Sequence, residues 1–327
     1  MLGRFILIYI LLCSPHIVYA SWYKQHWNIM GTRVAVEVWH QNKQTAKKAV
    51  SSVHDEMQRI DNNMSPFREE SELSYINQQA AKHPVKISHE LFQLIQKAQS
   101  ISKISNGTFD ITFASVGNLY DYRKHKHPSD KLIKQNISKI NFQKIQLNIK
   151  NSTIFFKQAG TKIDLGGIAK GYAVDKSIEL LKQLGIQHAL VSAGGDSRLL
   201  GDKKGKPWIT GIRHPRHKDK YVAILPLKDT AISTSGDYER FFIEDDIRYH
   251  HIIQPKTGKS ATASQSVTVL GPDTTTTDAI STTLFILGAP KALNFINSLP
   301  DYEAIIIDTH GKLHFSSGLE QPKANKN

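Results

Sequence analysis

The 327-residue chain has a single cysteine, and that cysteine lies in a segment that we expect to be removed. Cys13 ends an apolar run over residues 5–13, which Arg4 precedes and which the small-residue pattern Val-Tyr-Ala follows at 18–20. This order is typical of a secretory signal peptide, and the run is too short to span a bilayer. We therefore expect residues 1–20 to be cleaved and the mature chain to have no thiol and no disulfide.

Export would place the mature protein in the periplasm, with attachment to the periplasmic face of the inner membrane as an alternative. Leu12 stands before Cys13, where a lipidation signal would have a small residue, so a lipid anchor is disfavoured. Residues 319–327 are polar, and we expect them to form a disordered tail. Residues 21–318 remain as one folded domain, because no linker or internal repeat divides them.

Signatures of several common enzyme classes are missing. The chain has no His-Glu-x-x-His zinc site, no Gly-x-Ser-x-Gly nucleophile elbow and no Walker phosphate loop. The formal charge is +13, but the lysines are spread along the chain, without an arginine-rich helix or zinc-finger spacing. We therefore expect no nucleic-acid partner, and the basic surface suits anionic ligands or a membrane face.

Helical and strand patterns mix without a regular βαβ rhythm, which predicts the α+β class. Apolar residues at helical spacing predict helices at 46–60, 71–77, 88–101, 168–181, 274–287 and 291–298. Short alternating or β-branched runs predict strands at 32–40, 145–149, 153–156, 163–165, 188–193, 208–213, 221–227, 240–244, 249–253, 266–270, 304–307 and 312–315.

Residues 162–173 are the most informative stretch. An apolar, strand-like run ends at Leu165, a Gly-Gly pair follows, and apolar residues then recur at helical spacing up to a C-cap at Gly185. A strand that ends in glycines and leads into a helix exposes N–H groups at the positive end of a dipole, which is a geometry that receives phosphates. Asp164 and Lys170 add a carboxylate and a cation. A tight turn without a ligand is the alternative.

A second candidate site lies on the predicted helix 274–287. Asp278 and Thr282 are four residues apart, so their oxygen atoms share one helical face. A carboxylate with hydroxyl and carbonyl oxygens suits a hard cation such as Mg²⁺ shared with a phosphate. The alternative is that Asp278 only favours the helix N-terminus and the threonines are solvated.

Two adjacent histidines, His250 and His251, lie on the predicted strand 249–253, which a Pro-Lys-Thr-Gly turn follows. A histidine there could act as a general base, because its ordinary pKa lies near working pH. The chain has 15 histidines, so a purely structural role stays open for either one.

Six motifs occur in one order along the chain, and together they are more specific than any one of them. They are Met-Gly-Thr at 30–32, Gly-Thr-Phe-Asp-Ile-Thr at 107–112, Asp-Leu-Gly-Gly-Ile-Ala-Lys-Gly-Tyr-Ala at 164–173, Ser-Ala-Gly-Gly-Asp at 192–196, His-Ile-Ile-Gln-Pro-Lys-Thr-Gly at 251–258 and Asp-Ala-Ile-Ser-Thr at 278–282. In this order the chain resembles the ApbE family of FAD:protein FMN transferases, from about residue 27 to 316.

The resemblance implies an α+β, ApbE-like fold of mixed or antiparallel sheets flanked by helices, with FAD bound between two closely joined lobes. It also implies Mg²⁺-dependent transfer of the FMN half of FAD to a Thr or Ser hydroxyl of an acceptor protein, with release of AMP. His251 matches the histidine proposed as base. The residues implied to line the FAD site are Met30, Phe67, Thr108, Phe109, Asp110, Asp164, Lys170 and Ile252. The residues implied to hold Mg²⁺ are Gly167, Asp278, Ser281 and Thr282.

The sequence departs from the family pattern at one position near the base. Gln254 stands where the family more often has Asp, which removes one possible carboxylate beside His251. Phe67 occupies a position where aromatic residues vary, which suggests stacking on the flavin ring.

By the same resemblance, the acceptors would be exported flavoproteins of electron transport, such as Rnf/Nqr-like subunits of sodium- or proton-coupled oxidoreductases. Two alternatives stay open: a periplasmic FAD pyrophosphatase that gives FMN and AMP, and an FAD-binding protein without catalysis.

Overall fold

The computed structural model describes residues 21–217 and 219–319, so the predicted signal peptide and residues 320–327 of the predicted tail lie outside the described residues. Its centre is an eight-stranded sheet in which all neighbouring strands are antiparallel. The order across the sheet is β1 (Ser21–Ile29), β2 (Thr32–His40), β6 (His188–Ala193), β7 (Asp196–Leu200), β10 (Ala231–Gly236), β13 (Ser264–Gly271), β14 (Glu303–Asp308) and β15 (Leu313–Phe315).

Three small antiparallel sheets and eight α-helices complete the described chain. The small sheets consist of β3 (Val85–Lys86), β5 (Thr153–Phe156) and β4 (Ile145–Asn148), of β8 (Trp208–Arg213) and β9 (Tyr221–Leu227), and of β11 (Phe241–Glu244) and β12 (Ile247–His250). The helices are α1 (Lys43–Met64), α2 (Glu72–Gln79), α3 (His89–Ile104), α4 (Ala114–Gly117), α5 (Asp130–Asn136), α6 (Ala169–Gln183), α7 (Thr274–Leu287) and α8 (Ala289–Ile296). None of these helices has a stretch long and apolar enough to cross a membrane.

The helices bury the main core against one face of the large sheet. Apolar side chains of α1 and α6 pack on β2 and β6, α3 contributes to the same core, and side chains of α7 and α8 pack on β13 and β14. Side chains alternate between the two faces of a strand, so neighbouring residues serve different cores. Leu200 joins the main core, whereas Leu199 packs with Trp208 on the opposite face, which the β8–β9 hairpin covers. Leu319, at the start of the predicted tail, packs against this smaller cluster.

The α+β class and the antiparallel sheets are confirmed. Helix α7 has the bounds predicted from its apolar spacing, and Gly185 follows the end of α6 with a φ of +77°, as a C-cap glycine does. The strand predicted at 163–165 is wrong, because that segment pairs with side chains instead of a neighbouring strand. Strands β1, β3, β7 and β10 were not predicted. The division into two lobes with FAD between them stays a prediction.

Candidate functional site

The segment before α6 is extended, but side chains from other elements hold it in place. Asn77 pairs with both backbone groups of Ile163, accepting from its N–H at 2.8 Å and donating to its carbonyl oxygen at 2.9 Å. Ser115 pairs in the same way with Lys162, at 3.0 and 3.3 Å. These contacts replace the ladder of a strand and fix the position at which the chain enters α6.

Ile168, the residue before α6, gives no side-chain cap, but the Asp278 carboxylate on α7 accepts from the N–H of Gly171 in the first turn at 3.1 Å. The Asp164 carboxylate accepts a 2.6 Å hydrogen bond from the N–H of Gly166, in the turn that precedes the helix. Burial raises the pKa of Asp164, and this hydrogen bond partly opposes the rise. One N–H group in the first turn of α6 is thus already bound to a carboxylate, and the binding of a phosphate at this helix start stays a prediction.

Helices α6 and α7 lie unusually close to one another at Gly171. A Cβ atom at this position would lie 2.2 Å from the carbonyl oxygen of Thr274 and 2.9 Å from the Cβ of Asp278, so only glycine fits. Asp175 fixes the same contact, because its carboxylate accepts from the N–H groups of Thr274 and Thr275 at 2.9 and 2.7 Å. This packing sets the distance between Lys170 on α6 and Asp278 on α7.

Lys170, Asp196 and Asp278 form the charged centre of the site. The Lys170 Nζ lies 2.8 Å from Asp196 Oδ2 and 3.2 Å from Asp278 Oδ2. The Asp278 carboxylate also accepts from the N–H of Gly171 at 3.1 Å. Burial and the nearby negative charge of Asp196 raise the pKa of Asp278 to about 7. Burial disfavours the charged form of Lys170 and acts to lower its pKa. The two carboxylates favour the charged form more strongly, so the net effect is a raised pKa.

Hydroxyl groups surround the other side of Asp278. Ser235 on β10 lies within hydrogen-bond distance of Ser281 at 2.8 Å and of Thr282 at 3.3 Å, both on α7. Gly167 lies beside them, since a Cβ atom there would be 3.4 Å from Thr282 Oγ1. The structure thus brings together all four residues predicted to hold magnesium.

These residues fit a magnesium ion by their chemistry. No group of three or more His, Cys, Asp or Glu side chains in residues 21–217 and 219–319 is arranged to hold a metal, so the test of fit concerns one carboxylate with hydroxyl and carbonyl oxygens. The donors at Asp278 are oxygen atoms, which Mg²⁺ prefers. Asp196 and Asp278 share the single ammonium of Lys170, which leaves one negative charge for a cation to neutralise.

His251 lies at the end of the β11–β12 hairpin, and the hairpin's backbone fixes its position. Its N–H donates to the carbonyl oxygen of Arg240 at 3.2 Å, and the Arg240 guanidinium donates to the carbonyl oxygen of Gly31 at 3.0 Å. Gly31 follows Met30 in the β1–β2 turn, and both residues have positive φ. The turn that carries Met30 is thereby linked to the candidate base.

The His251 side chain is neutral and has an uncommitted nitrogen. Its Nδ1 is buried and has no hydrogen-bond partner among the described residues. Burial lowers the pKa of His251 to about 3, and the positive charges of Arg240 and Lys170 act in the same direction. A neutral imidazole can accept a proton, as a general base must. His250 differs, because its ring is bound to the carbonyl oxygen of Ala261 at 2.7 Å in the core.

The low pKa of His251 predicts a measurable pH dependence of stability. Since the folded-state pKa lies below the unfolded value, the contribution is fully present above about pH 6.5 and is lost as the pH falls towards 3. In urea unfolding at pH 7 and pH 5, the His251→Gln variant should lose about 1–2 kcal/mol less stability on acidification than the wild type. His83→Gln, at an exposed histidine, is the control. Equal losses in wild type and His251→Gln would contradict the prediction.

The remaining predicted FAD residues differ in exposure. Phe67 follows α1 and is 81% exposed, so its ring is free to stack on a ligand. Phe109 is buried, and its ring packs beside Gly167. Thr108 and Ile252 are also buried.

Asp110 has little capacity left for a ligand. Its carboxylate accepts from the N–H and hydroxyl of Thr112, at 2.8 and 2.6 Å, and from the N–H of Phe142 at 2.8 Å. Burial raises its pKa, and these bonds oppose the rise. Its side chain organises the loop before α4, and its contact with FAD stays a prediction.

Three residues of the site were not among the predicted site residues. Asp196 ends the Ser-Ala-Gly-Gly-Asp motif, and the two-residue Gly-Gly turn between β6 and β7 was a signal that could have placed it. Arg240 and Ser235 lie in segments that carry no motif, and no signal in the sequence marked them.

Comparisons with known proteins identify the family of the chain. Residues 30–306 match the sequence model of the ApbE family. A Treponema pallidum protein named FAD:protein FMN transferase is 31% identical over 312 residues, which cover 89% of this chain and 86% of that protein. A Klebsiella pneumoniae protein of the same name is 29% identical, over 88% of this chain and 90% of that protein.

Solved structures give the same result for the fold. The crystal structure of the ApbE protein from Thermotoga maritima superposes with a TM-score of 0.85 and 31% identity, covering 91% of this chain and 98% of that one. The flavin transferase ApbE from Vibrio cholerae superposes with a TM-score of 0.81 and 27% identity, with the same coverage. The predicted resemblance is confirmed, and the chain belongs to the ApbE family.

Proposed function

We propose that this protein transfers the FMN moiety of FAD to a Thr or Ser hydroxyl of an acceptor protein and releases AMP. The relatives named FAD:protein FMN transferase make the chain a transferase of flavin chemistry. The observation that carries the proposal is that the start of α6, Lys170, the oxygen cluster around Asp278 and the neutral His251 lie close together.

The reaction is a displacement at the phosphorus atom of the FMN half. A bond forms between the acceptor oxygen and this phosphorus, and the phosphorus–oxygen bond to the AMP half breaks. The hydroxyl proton passes to the His251 imidazole, and AMP leaves with the bridging oxygen. Such transfers depend mainly on positioning and charge neutralisation, so little further chemistry is required.

With a magnesium ion offsetting the net negative charge of Lys170, Asp196 and Asp278, Lys170 and the start of α6 would hold the diphosphate. Magnesium would be held by Asp278 and Thr282, with Ser281 and the carbonyl oxygen of Gly167. When bound, the ion would neutralise charge on the diphosphate oxygens. The exposed ring of Phe67 would stack on the flavin.

The acceptors are proposed to be exported flavoproteins of electron transport, of the Rnf/Nqr-like kind, and the protein itself is proposed to act in the periplasm or at the periplasmic face of the inner membrane. The signal-peptide pattern in residues 1–20 supports this location. Basic surface charge would favour contact with an anionic membrane or an acidic acceptor.

An intact-mass assay tests the proposal. Mature protein is incubated with FAD, Mg²⁺ and a flavoprotein acceptor domain from the same genome, with EDTA in a parallel tube. In the tube without EDTA, we expect the acceptor to gain the mass of one FMN moiety and AMP to be released. With EDTA, we expect neither. FMN and AMP with an unmodified acceptor would show a pyrophosphatase instead. Intact FAD with every acceptor domain of that genome would show a binding protein.

A further inference from the structure

Asp196 lies in the charged centre of the site without being a predicted cation ligand. It is the first residue of β7, its side chain is 2% exposed, and it faces the helices. Its Oδ2 lies 2.8 Å from the Lys170 Nζ, closer than the 3.2 Å between Lys170 and Asp278. Lys170 therefore has two carboxylate partners, and Asp196 is the nearer one.

The two contacts have different consequences for a cation at Asp278. Lys170 competes with such a cation, because both are attracted to the same carboxylate. Asp196 offsets this competition, since it attracts the same ammonium at 2.8 Å and adds a second buried negative charge. With Asp196 ionised, the three side chains sum to one negative charge, and without it they sum to zero.

The close packing makes this effect of charge strong and local. Lys170 lies four residues after Gly166, and its Nζ also donates to the carbonyl oxygen of Gly166 at 3.2 Å. The lysine side chain therefore has little freedom to move away from the two carboxylates. Asp196 is held on both sides by strand pairing, with Ala193 on β6 and Ser233 on β10. Charges in such a partly buried cluster interact more strongly than charges in water.

We propose that Asp196 is a positioning residue that sets the cation affinity of the α7 site by holding Lys170 and supplying the balancing negative charge. The inference rests on the proposed magnesium site and adds to it a residue that acts through Lys170. It concerns binding of the cation alone, so FAD and an acceptor are not needed to test it.

The test is direct titration of the purified protein with Mn²⁺ as the probe, with the free ion followed by electron paramagnetic resonance. For Asp196→Asn, we expect the Kd for Mn²⁺ to rise about 10- to 100-fold, because one unit charge near a divalent ion is removed. Lys170→Met should bind Mn²⁺ more tightly than the wild type. The double variant Lys170→Met/Asp196→Asn restores a net charge of −1 and should return to within about threefold of the wild type.

Asp202→Asn is the matched control, because it removes a carboxylate just beyond the other end of β7, where Asp202 pairs with Lys228 instead. Its Kd should equal that of the wild type. Equal affinities of Asp196→Asn and wild type would overturn the inference. So would a double variant as weak as Asp196→Asn, because the effect would then be structural. If Asp196→Asn does not fold, tighter binding by Lys170→Met decides the question, and unchanged binding there overturns the inference.

Failure of the magnesium site itself would look different. Asp278→Ala should lose Mn²⁺ binding, and a wild type that binds no better than Asp278→Ala would contradict the proposed site and the role of Asp196 together. If the wild type binds Mn²⁺ and neither Asp196→Asn nor Lys170→Met changes the Kd, the proposed role of Asp196 is contradicted and the magnesium site is not.

Discussion

Replacing His251 with alanine is expected to lower the rate of flavin transfer by about 10²–10⁴-fold, the usual contribution of a general base. The affinity for FAD should stay within about threefold of the wild type, because the predicted contact residues for the diphosphate and flavin are elsewhere. Transfer is measured by single-turnover mass spectrometry on the acceptor, and FAD binding by fluorescence titration.

The physical reason lies in the surroundings of the imidazole. Its pKa of about 3 is set first by burial and then by His250 and the two cations Arg240 and Lys170. The negative charge of FAD would offset these two cations and raise the pKa towards its ordinary value. The base would therefore become stronger when the substrate is bound, and it stays neutral and ready to accept a proton beforehand.

One further variant and one rescue experiment distinguish a base from a structural residue. His83→Ala removes an exposed histidine and should leave transfer unchanged. Added imidazole should restore part of the activity of His251→Ala, because the removed group was a proton acceptor at a partly buried position. A weakened FAD affinity with no rescue by imidazole would assign His251 a structural role.

The sequence predicted the site better than it predicted the sheet. Helix α7 and the segment around α6 carry strong local signals, which are apolar spacing, glycines and charged residues at the helix start. By contrast, β10 has the sequence Ala-Ile-Ser-Thr-Ser-Gly, whose small polar residues are typical of turns. Ser233 is buried and Ser235 is half-buried, and they pair with hydroxyls of α7, at Thr277 and Ser281. No local sequence pattern indicates such a partner.

The same limit explains the strand that was wrongly predicted before the glycines. Ile163 has the spacing of a strand residue, but its pairing groups belong to Asn77, 86 residues earlier in the chain. The contact between Lys170 and Asp278 spans 108 residues, and Asp196 joins it from a third element. Local patterns identified Lys170 and Asp278 as candidate site residues. Only the fold shows that these two residues and Asp196 form one charged cluster around a single ammonium group.

Replacing Asp278 with alanine is expected to abolish metal-dependent transfer, with a loss of about 10³-fold or more, because the only predicted carboxylate ligand is removed. The unfolding temperature should equal or exceed that of the wild type. Burial and Asp196 raise the pKa of Asp278 to about 7, which shows that its ionised form costs stability near neutral pH. Lys170 keeps Asp196 as a partner in the variant, so no ammonium is left unpaired.

Asp175→Ala provides the contrasting variant on the same pair of helices. This carboxylate accepts three hydrogen bonds from the first turn of α7, so its removal leaves the N–H groups of Thr274 and Thr275 without a partner. We expect a loss of about 1–2 kcal/mol in stability, as for other helix caps, with much of the transfer activity retained. Loss of transfer without loss of stability in Asp278→Ala, and loss of stability with transfer retained in Asp175→Ala, would show that Asp278 serves the reaction and that Asp175 positions α7. Metal-dependent transfer by Asp278→Ala at the wild-type rate would contradict the assignment of the cation to α7.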